Sequence, residues 1–116
     1  MPIYRVTSEF AVSDQLIPAD VKFIARAGFK MIICNRPDTE PGATPAAQIE
    51  AECEANNLAF IQMPVVFSSM TENDAVNLFK VLQDARKNCK IPVLAYCESG
   101  YRSKRLFEMS LAFGSL

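Results

Sequence analysis

Lys30-Met31-Ile32-Ile33-Cys34 sets four unbroken apolar residues behind a single lysine. A strand with one wet face alternates polar and apolar side chains, so this run predicts a strand covered on both faces. The residues around it predict what covers it. Upstream, Pro18 opens a helix where its missing N–H costs nothing, and Gly28 closes it, with Val21, Ile24 and Ala25 as a narrow apolar face. Further upstream, Pro2 to Val6 and Phe10 to Ser13 read as short strands parted by Thr7-Ser8-Glu9.

Downstream, Asn35-Arg36-Pro37-Asp38-Thr39-Glu40-Pro41-Gly42-Ala43 holds two prolines and a glycine and reads as a loop. Thr44 is the expected cap of a helix running to about Asn56, with Pro45 at its first position. Ala59 to Met63 follows as a strand, and Pro64 to Met70 as an apolar connection. Thr71 caps the next helix, with Glu72 and Asp74 in its first turn and Lys87 and Lys90 near its other end, all matching the helix dipole. Ala75, Leu78, Phe79, Leu82 and Ala85 give that helix the clearest 3.6-residue period in the chain. Val93-Leu94-Ala95-Tyr96 is a second fully buried strand, and from Ser103 onward Leu106, Phe107, Ser110, Leu111 and Phe113 outline a last helix.

Strands alternating with helices predict an α/β fold, a three-layer sandwich with a mostly parallel central sheet. No repeat or linker divides residues 1–116, so a single domain is expected. In such sheets ligands sit beyond the carboxyl ends of the strands. The loops after Cys34, Met63 and Tyr96 are therefore the ones to watch.

Composition narrows the chemistry. Half of the 116 residues are hydrophobic, enough for a real core. The net charge of −1 argues against a nucleic-acid partner, and no apolar window is long enough to span a membrane. The first residues lack the order of a secretory signal, so a cytoplasmic location is expected. The chain has no histidine, which removes the Ser-His-Asp triad, the Cys-His dyad and imidazole zinc sites. Its four cysteines, Cys34, Cys53, Cys89 and Cys97, form no Cys-x-x-Cys pair, so reduced thiols and no metal are expected.

One segment carries chemistry: Cys97-Glu98-Ser99-Gly100-Tyr101-Arg102-Ser103, between a buried strand and a helix. A cysteine there meets outward-pointing N–H groups and a helix N-terminus, both of which favour thiolate. Gly100 lets the backbone curl so that the amides of Glu98 to Ser103 face one centre, an anion nest. Arg102 brings a planar fork that suits two oxygens of a tetrahedral anion. Ser103 is expected to cap the helix and bond the thiolate. Tyr101, Phe67 and Met70 are candidates for the rim. Cys34, ending the strand on the same face, is either packed core or a resolving thiol for an oxidised Cys97.

At these residues the chain resembles the bacterial DUF442 domain, the phosphatase-like domain also fused in beta-lactamase-hydrolase-like proteins, which is related to the protein tyrosine and dual-specificity phosphatases. The likeness runs through Val12-Ser13-Asp14-Gln15-Leu16-Ile17-Pro18-Ala19-Asp20-Val21 with Ala27-Gly28-Phe29-Lys30, through Ile32-Ile33-Cys34-Asn35-Arg36-Pro37-Asp38, and through Pro92-Val93-Leu94-Ala95-Tyr96-Cys97 with Gly100, Arg102 and Ser103. The resemblance implies a tyrosine-phosphatase-like sheet and a metal-independent, cofactor-free enzyme acting on a phosphorylated small molecule or phosphoprotein. Cys97 would form a thiophosphoryl intermediate while Arg102 and the loop amides hold the oxygens.

Two alternatives stay open. Four residues separate Cys97 from Arg102, as in rhodanese-type sulfurtransferases, whereas tyrosine phosphatases have five, so a persulfide carrier on Cys97 is one. A non-catalytic phosphate-binding or regulatory module is the other, since the usual acid is missing and Glu98 stands where relatives often carry arginine; Tyr96 is a further departure, standing where they carry histidine. The relatives place their acid on the loop after the preceding strand, but residues 64–70 hold no carboxylate. Asp38 is therefore the first candidate acid, ahead of Glu72 and Asp74, which helix-start electrostatics explains. Arg36 is expected either to pair with Asp38 or to bind anion.

Overall fold

The computed structural model describes residues 2–114. Its strands are β1 (Ile3–Arg5), β2 (Phe10–Ser13), β3 (Met31–Cys34), β4 (Ala59–Gln62) and β5 (Val93–Tyr96), and its α-helices are α1 (Val21–Arg26), α2 (Ala46–Ala55), α3 (Glu72–Lys87) and α4 (Tyr101–Ser110). Single 3-10 turns occupy Pro18–Asp20, Phe67–Ser69 and Leu111–Phe113. The strands form one sheet in the order β1-β2-β5-β3-β4. β1 runs antiparallel to β2, and every other pairing is parallel.

Side-chain alternation along the buried strands divides the core in two. Met31, Ile33, Val93 and Ala95 face a layer built by Leu78 and Leu82 of α3 with Leu106 and Phe107 of α4. Ile32, Cys34, Leu94 and Tyr96 face the opposite layer, built by Val21 and Ile24 of α1 with Ile49 and Cys53 of α2. The continuous apolar run at 31–34 is thus a central strand with helices above and below, and the three-layer expectation holds.

Three helix starts differ from the expected ones. Pro18 opens a 3-10 turn, and the α-helix proper begins at Val21. α2 starts at Ala46 behind Pro45 rather than from a Thr44 cap, because the Oδ1 of Asp38 accepts the Ala46 N–H at 2.9 Å and supplies the anchor from eight residues away. α4 starts at Tyr101, two residues before Ser103, because Gly100 takes the cap position with φ +91°. Thr71 does cap α3: its Oγ1 accepts the Asp74 N–H at 3.3 Å, while Asp74 Oδ2 accepts the Thr71 N–H at 2.9 Å.

With β5 between β2 and β3, the chain leaves β5 from the middle of the sheet. It runs straight into α4, flanked by the loops that leave β2 and β3. The crevice between diverging connections is where open parallel sheets bind ligands, and the loop that begins with Cys97 leaves β5 there.

Candidate active site

Cys97 follows the last residue of β5 and is 1% exposed. Its N–H reaches the Ser13 carbonyl at 3.4 Å, which extends the β2–β5 pairing one step into the loop. The chain then folds back, so that Gly100 donates its N–H to Cys97 Sγ at 3.1 Å. This turn favours glycine because φ is +91°, a conformation that side-chain-bearing residues rarely adopt; a Cβ there would lie in contact with the Ser13 carbonyl at 3.4 Å. Lys104 N–H closes the first α4 turn on Gly100 O at 3.0 Å, leaving the amides at the start of α4 without helical acceptors. The sulfur therefore lies at the positive end of a ten-residue helix with one N–H already on it.

Arg102, the second residue of α4, lies across this loop with its side chain 9% exposed. Its Nη1 and Nη2 grip the Glu40 carboxylate at 2.8 and 3.1 Å, and Nη1 also donates to Val65 O at 3.0 Å. Its buried Nε has no hydrogen-bond partner among the described residues. The hydrogen bonds from Arg102, ahead of the contribution of Arg36, hold the Glu40 carboxyl below the usual carboxylate range.

Arg36 supports this pair rather than facing the crevice. It is 5% exposed, donates Nε to Glu40 at 3.1 Å, Nη1 to Gln15 Oε1 at 2.9 Å and Nη2 to Pro41 O at 2.7 Å. The expected Arg36–Asp38 pair does not form: Glu40, four residues on in the same loop, takes the guanidinium. Asp38 is tied to the start of α2 instead, and no hydrogen bond joins it to Cys97 or Arg102.

Glu98 directs its carboxylate outward, 70% exposed, at 3.8 Å from Arg36 Nη2, while its carbonyl accepts the Gln15 N–H at 3.2 Å. Ser99 Oγ accepts the Tyr101 N–H at 3.4 Å. Ser103 does not reach the thiol. Its Oγ donates to Asn35 Oδ1 at 2.8 Å, and Asn35, wholly buried, donates to Met63 O at 3.0 Å and Tyr96 O at 2.8 Å. Asn35 thus binds the ends of β4 and β5 to α4. Tyr101 stacks on Phe67 with ring centroids 5.4 Å apart, both exposed at the rim, whereas Met70 packs into the core.

Cys34 packs in the α1/α2 layer and donates its thiol to Arg36 O at 3.3 Å. Burial pushes it up from the ordinary thiol value. The buried Tyr96 hydroxyl beside it meets no partner of hydrogen-bond geometry among the described residues.

Glu40, Asn35 and Gln15 escaped the sequence reading as site residues. Glu40 and Asn35 stand in the loop after β3, whose position at a strand end points to it, but nothing in their spacing shows that one reaches Arg102, 62 residues away, and the other Ser103.

With this geometry in hand, comparison with known proteins is specific. The family model for the phosphatase-like domain of beta-lactamase hydrolase-like proteins matches residues 3–114. The chain belongs to this family. A beta-lactamase hydrolase-like protein from Xylella fastidiosa is 34% identical over 113 residues, covering 95% of this chain and 25% of the relative. One from Agrobacterium fabrum is 28% identical, covering 97% and 25%. The chain thus spans about a quarter of the length of these curated relatives. A crystal structure from Neisseria meningitidis, described as a candidate phosphatase, superposes with a TM-score of 0.80 at 33% identity, covering all of this chain and 81% of that one. A DUF442 structure from Shewanella putrefaciens superposes at 0.78 with 15% identity, covering 94% and 66%, and shares the fold. Within the family, a phosphatase-like domain on a tyrosine-phosphatase-like sheet is what this chain is.

Proposed function

We propose that the domain hydrolyses phosphate monoesters through Cys97. What carries the reading is one juxtaposition: the Cys97 sulfur, bonded by the Gly100 amide at the head of α4, shares that helix's first turns with the buried, unpartnered Nε of Arg102. Amides and a guanidinium fixed before substrate arrives are what charge developing on phosphoryl oxygens requires. The thiolate attacks phosphorus, forming S–P as the ester P–O bond breaks, and the leaving oxygen takes its proton from solvent. Water then attacks phosphorus, S–P breaks, and inorganic phosphate leaves with the thiolate restored. The chain's own residues supply nucleophile and charge stabilisation, so the proposed route is independent of metal.

The carboxylates about the crevice are engaged: Asp38 with α2, Glu40 with two arginines, Glu98 toward solvent. The reading therefore favours aryl esters, whose leaving oxygen carries charge without a donated proton. Phosphate release from an aryl phosphate should fall at least about a thousandfold in Cys97→Ser. Equal rates in both proteins would end the proposal.

A second reading has its own support. The four-residue spacing makes a short cradle, and transfer of a sulfane sulfur through a Cys97 persulfide needs no proton donor for an alkoxide. Thiocyanate formed from thiosulfate and cyanide, without phosphate release from aryl esters, would select it.

A further inference from the structure

We propose that Glu40 is a positioning residue for the anion chemistry at Cys97: by gripping both terminal nitrogens of Arg102 it leaves the Nε edge as the one that meets the oxyanion. The inference rests on the reading of Cys97 as an anion-directed nucleophile and adds to it.

A guanidinium has five N–H donors. Two on Nη1 go to Glu40 and Val65 O, and one on Nη2 goes to Glu40. The donors left over lie on the edge shared by Nε and Nη2, and Nε is buried without a partner. A buried donor of a charged group left unpaired is costly, so its retention in an otherwise bonded group points to a ligand that arrives there. The remaining fork is side-on and planar, with the spacing of two oxygens of a tetrahedral anion. Glu40 also cannot swing freely. Arg36 Nε holds it at 3.1 Å, and Arg36 is in turn held by Gln15 Oε1 and Pro41 O. The chain Gln15–Arg36–Glu40–Arg102 thus ties the loops after β2 and β3 to α4 and fixes the fork before anything binds.

The test compares alkylation of Cys97 by iodoacetate, an anion, and by iodoacetamide, its neutral analogue, in the full chain. The ratio of the two rates cancels differences in sulfur exposure, so general loosening does not move it. The wild-type chain should favour iodoacetate relative to a free small thiol, and Glu40→Gln should lower that preference about tenfold, since a misaimed donor loses much of its effect on anionic oxygen. Glu40→Asp keeps the charge but draws the carboxylate back by one methylene, and should also lose the preference. Thermal melts identify which variant is folded. A preference that stays at the wild-type level in a folded variant overturns the positioning role. A preference that rises overturns it too, because Glu40 would then be competing with the anion for Arg102. No preference in the wild-type chain would sink the reading of Cys97 itself, and the inference with it.

Discussion

Tyr96 and Cys97 are neighbours with opposite fates, and the difference comes from direction alone. Tyr96, the last residue of β5, turns into the α1/α2 layer, where its hydroxyl is buried without a partner beside Cys34. Cys97, one residue on, meets the Gly100 amide at the head of α4. An unpaired buried hydroxyl costs more than it returns. Tyr96→Phe should therefore leave the urea midpoint unchanged or raise stability by about 1 kcal/mol, with catalytic rates intact. A clear loss of stability would show that the hydroxyl has a partner. At this scale the sequence is most informative where local chain geometry decides position: the placement of Cys97, Gly100 and Arg102 follows from a strand-loop-helix pattern. It was least informative where the role is a contact across the fold. Arg36 was expected at Asp38 or at an anion, and Ser103 at the thiol. Their actual partners, Glu40 and Asn35, depend on how three loops converge, which no local period encodes.

Helix boundaries show the same division at the next scale. α3 was legible because its cap is local, Thr71 and Asp74 three residues apart. α2 starts one residue later than its sequence predicts because its anchor is remote: the Asp38 carboxylate crosses the loop to Ala46. That contact separates two roles for Asp38. Asn at position 38 keeps the acceptor oxygen and removes the acid, whereas Ala removes both. If Asp38 is an anchor, Asp38→Asn should keep stability and leave the rate with aryl and alkyl phosphates in unchanged proportion. Asp38→Ala should cost about 1 kcal/mol in urea unfolding. A loss in Asp38→Asn confined to the poorer, alkyl leaving group would make Asp38 the acid after all.

Over the whole molecule, the alternation of apolar strands and amphipathic helices made the three layers and the single mostly parallel sheet legible. The order β1-β2-β5-β3-β4 was not, since burial on both faces says that a strand is central without saying beside what. That order matters because it places the Cys97 loop between the β2 and β3 connections, where Gln15 and Glu40 can reach it. The buried layers also set a pH limit. Burial raises Cys34 and Tyr96 and pushes Cys53 up to about 12, all above their unfolded values. The folded chain therefore holds protons that the unfolded chain releases. Their contribution is complete below the ordinary thiol value of 9.0 and is lost as pH rises toward the folded values. The urea midpoint should fall through this alkaline range, and Cys53→Ala should flatten the fall; a midpoint independent of pH there would contradict the burial of these groups. Glu40 works in the other direction, since its lowered value stabilises the fold above the ordinary 4.5 and is lost on acidification through the folded value. Every functional claim returns to the sulfur at position 97, and the most direct measurement is the intact mass of the chain quenched during turnover of an aryl phosphate. One added phosphoryl group, mapped to Cys97 and absent in Cys97→Ser, is the result expected; an unmodified Cys97 while phosphate accumulates would contradict the account.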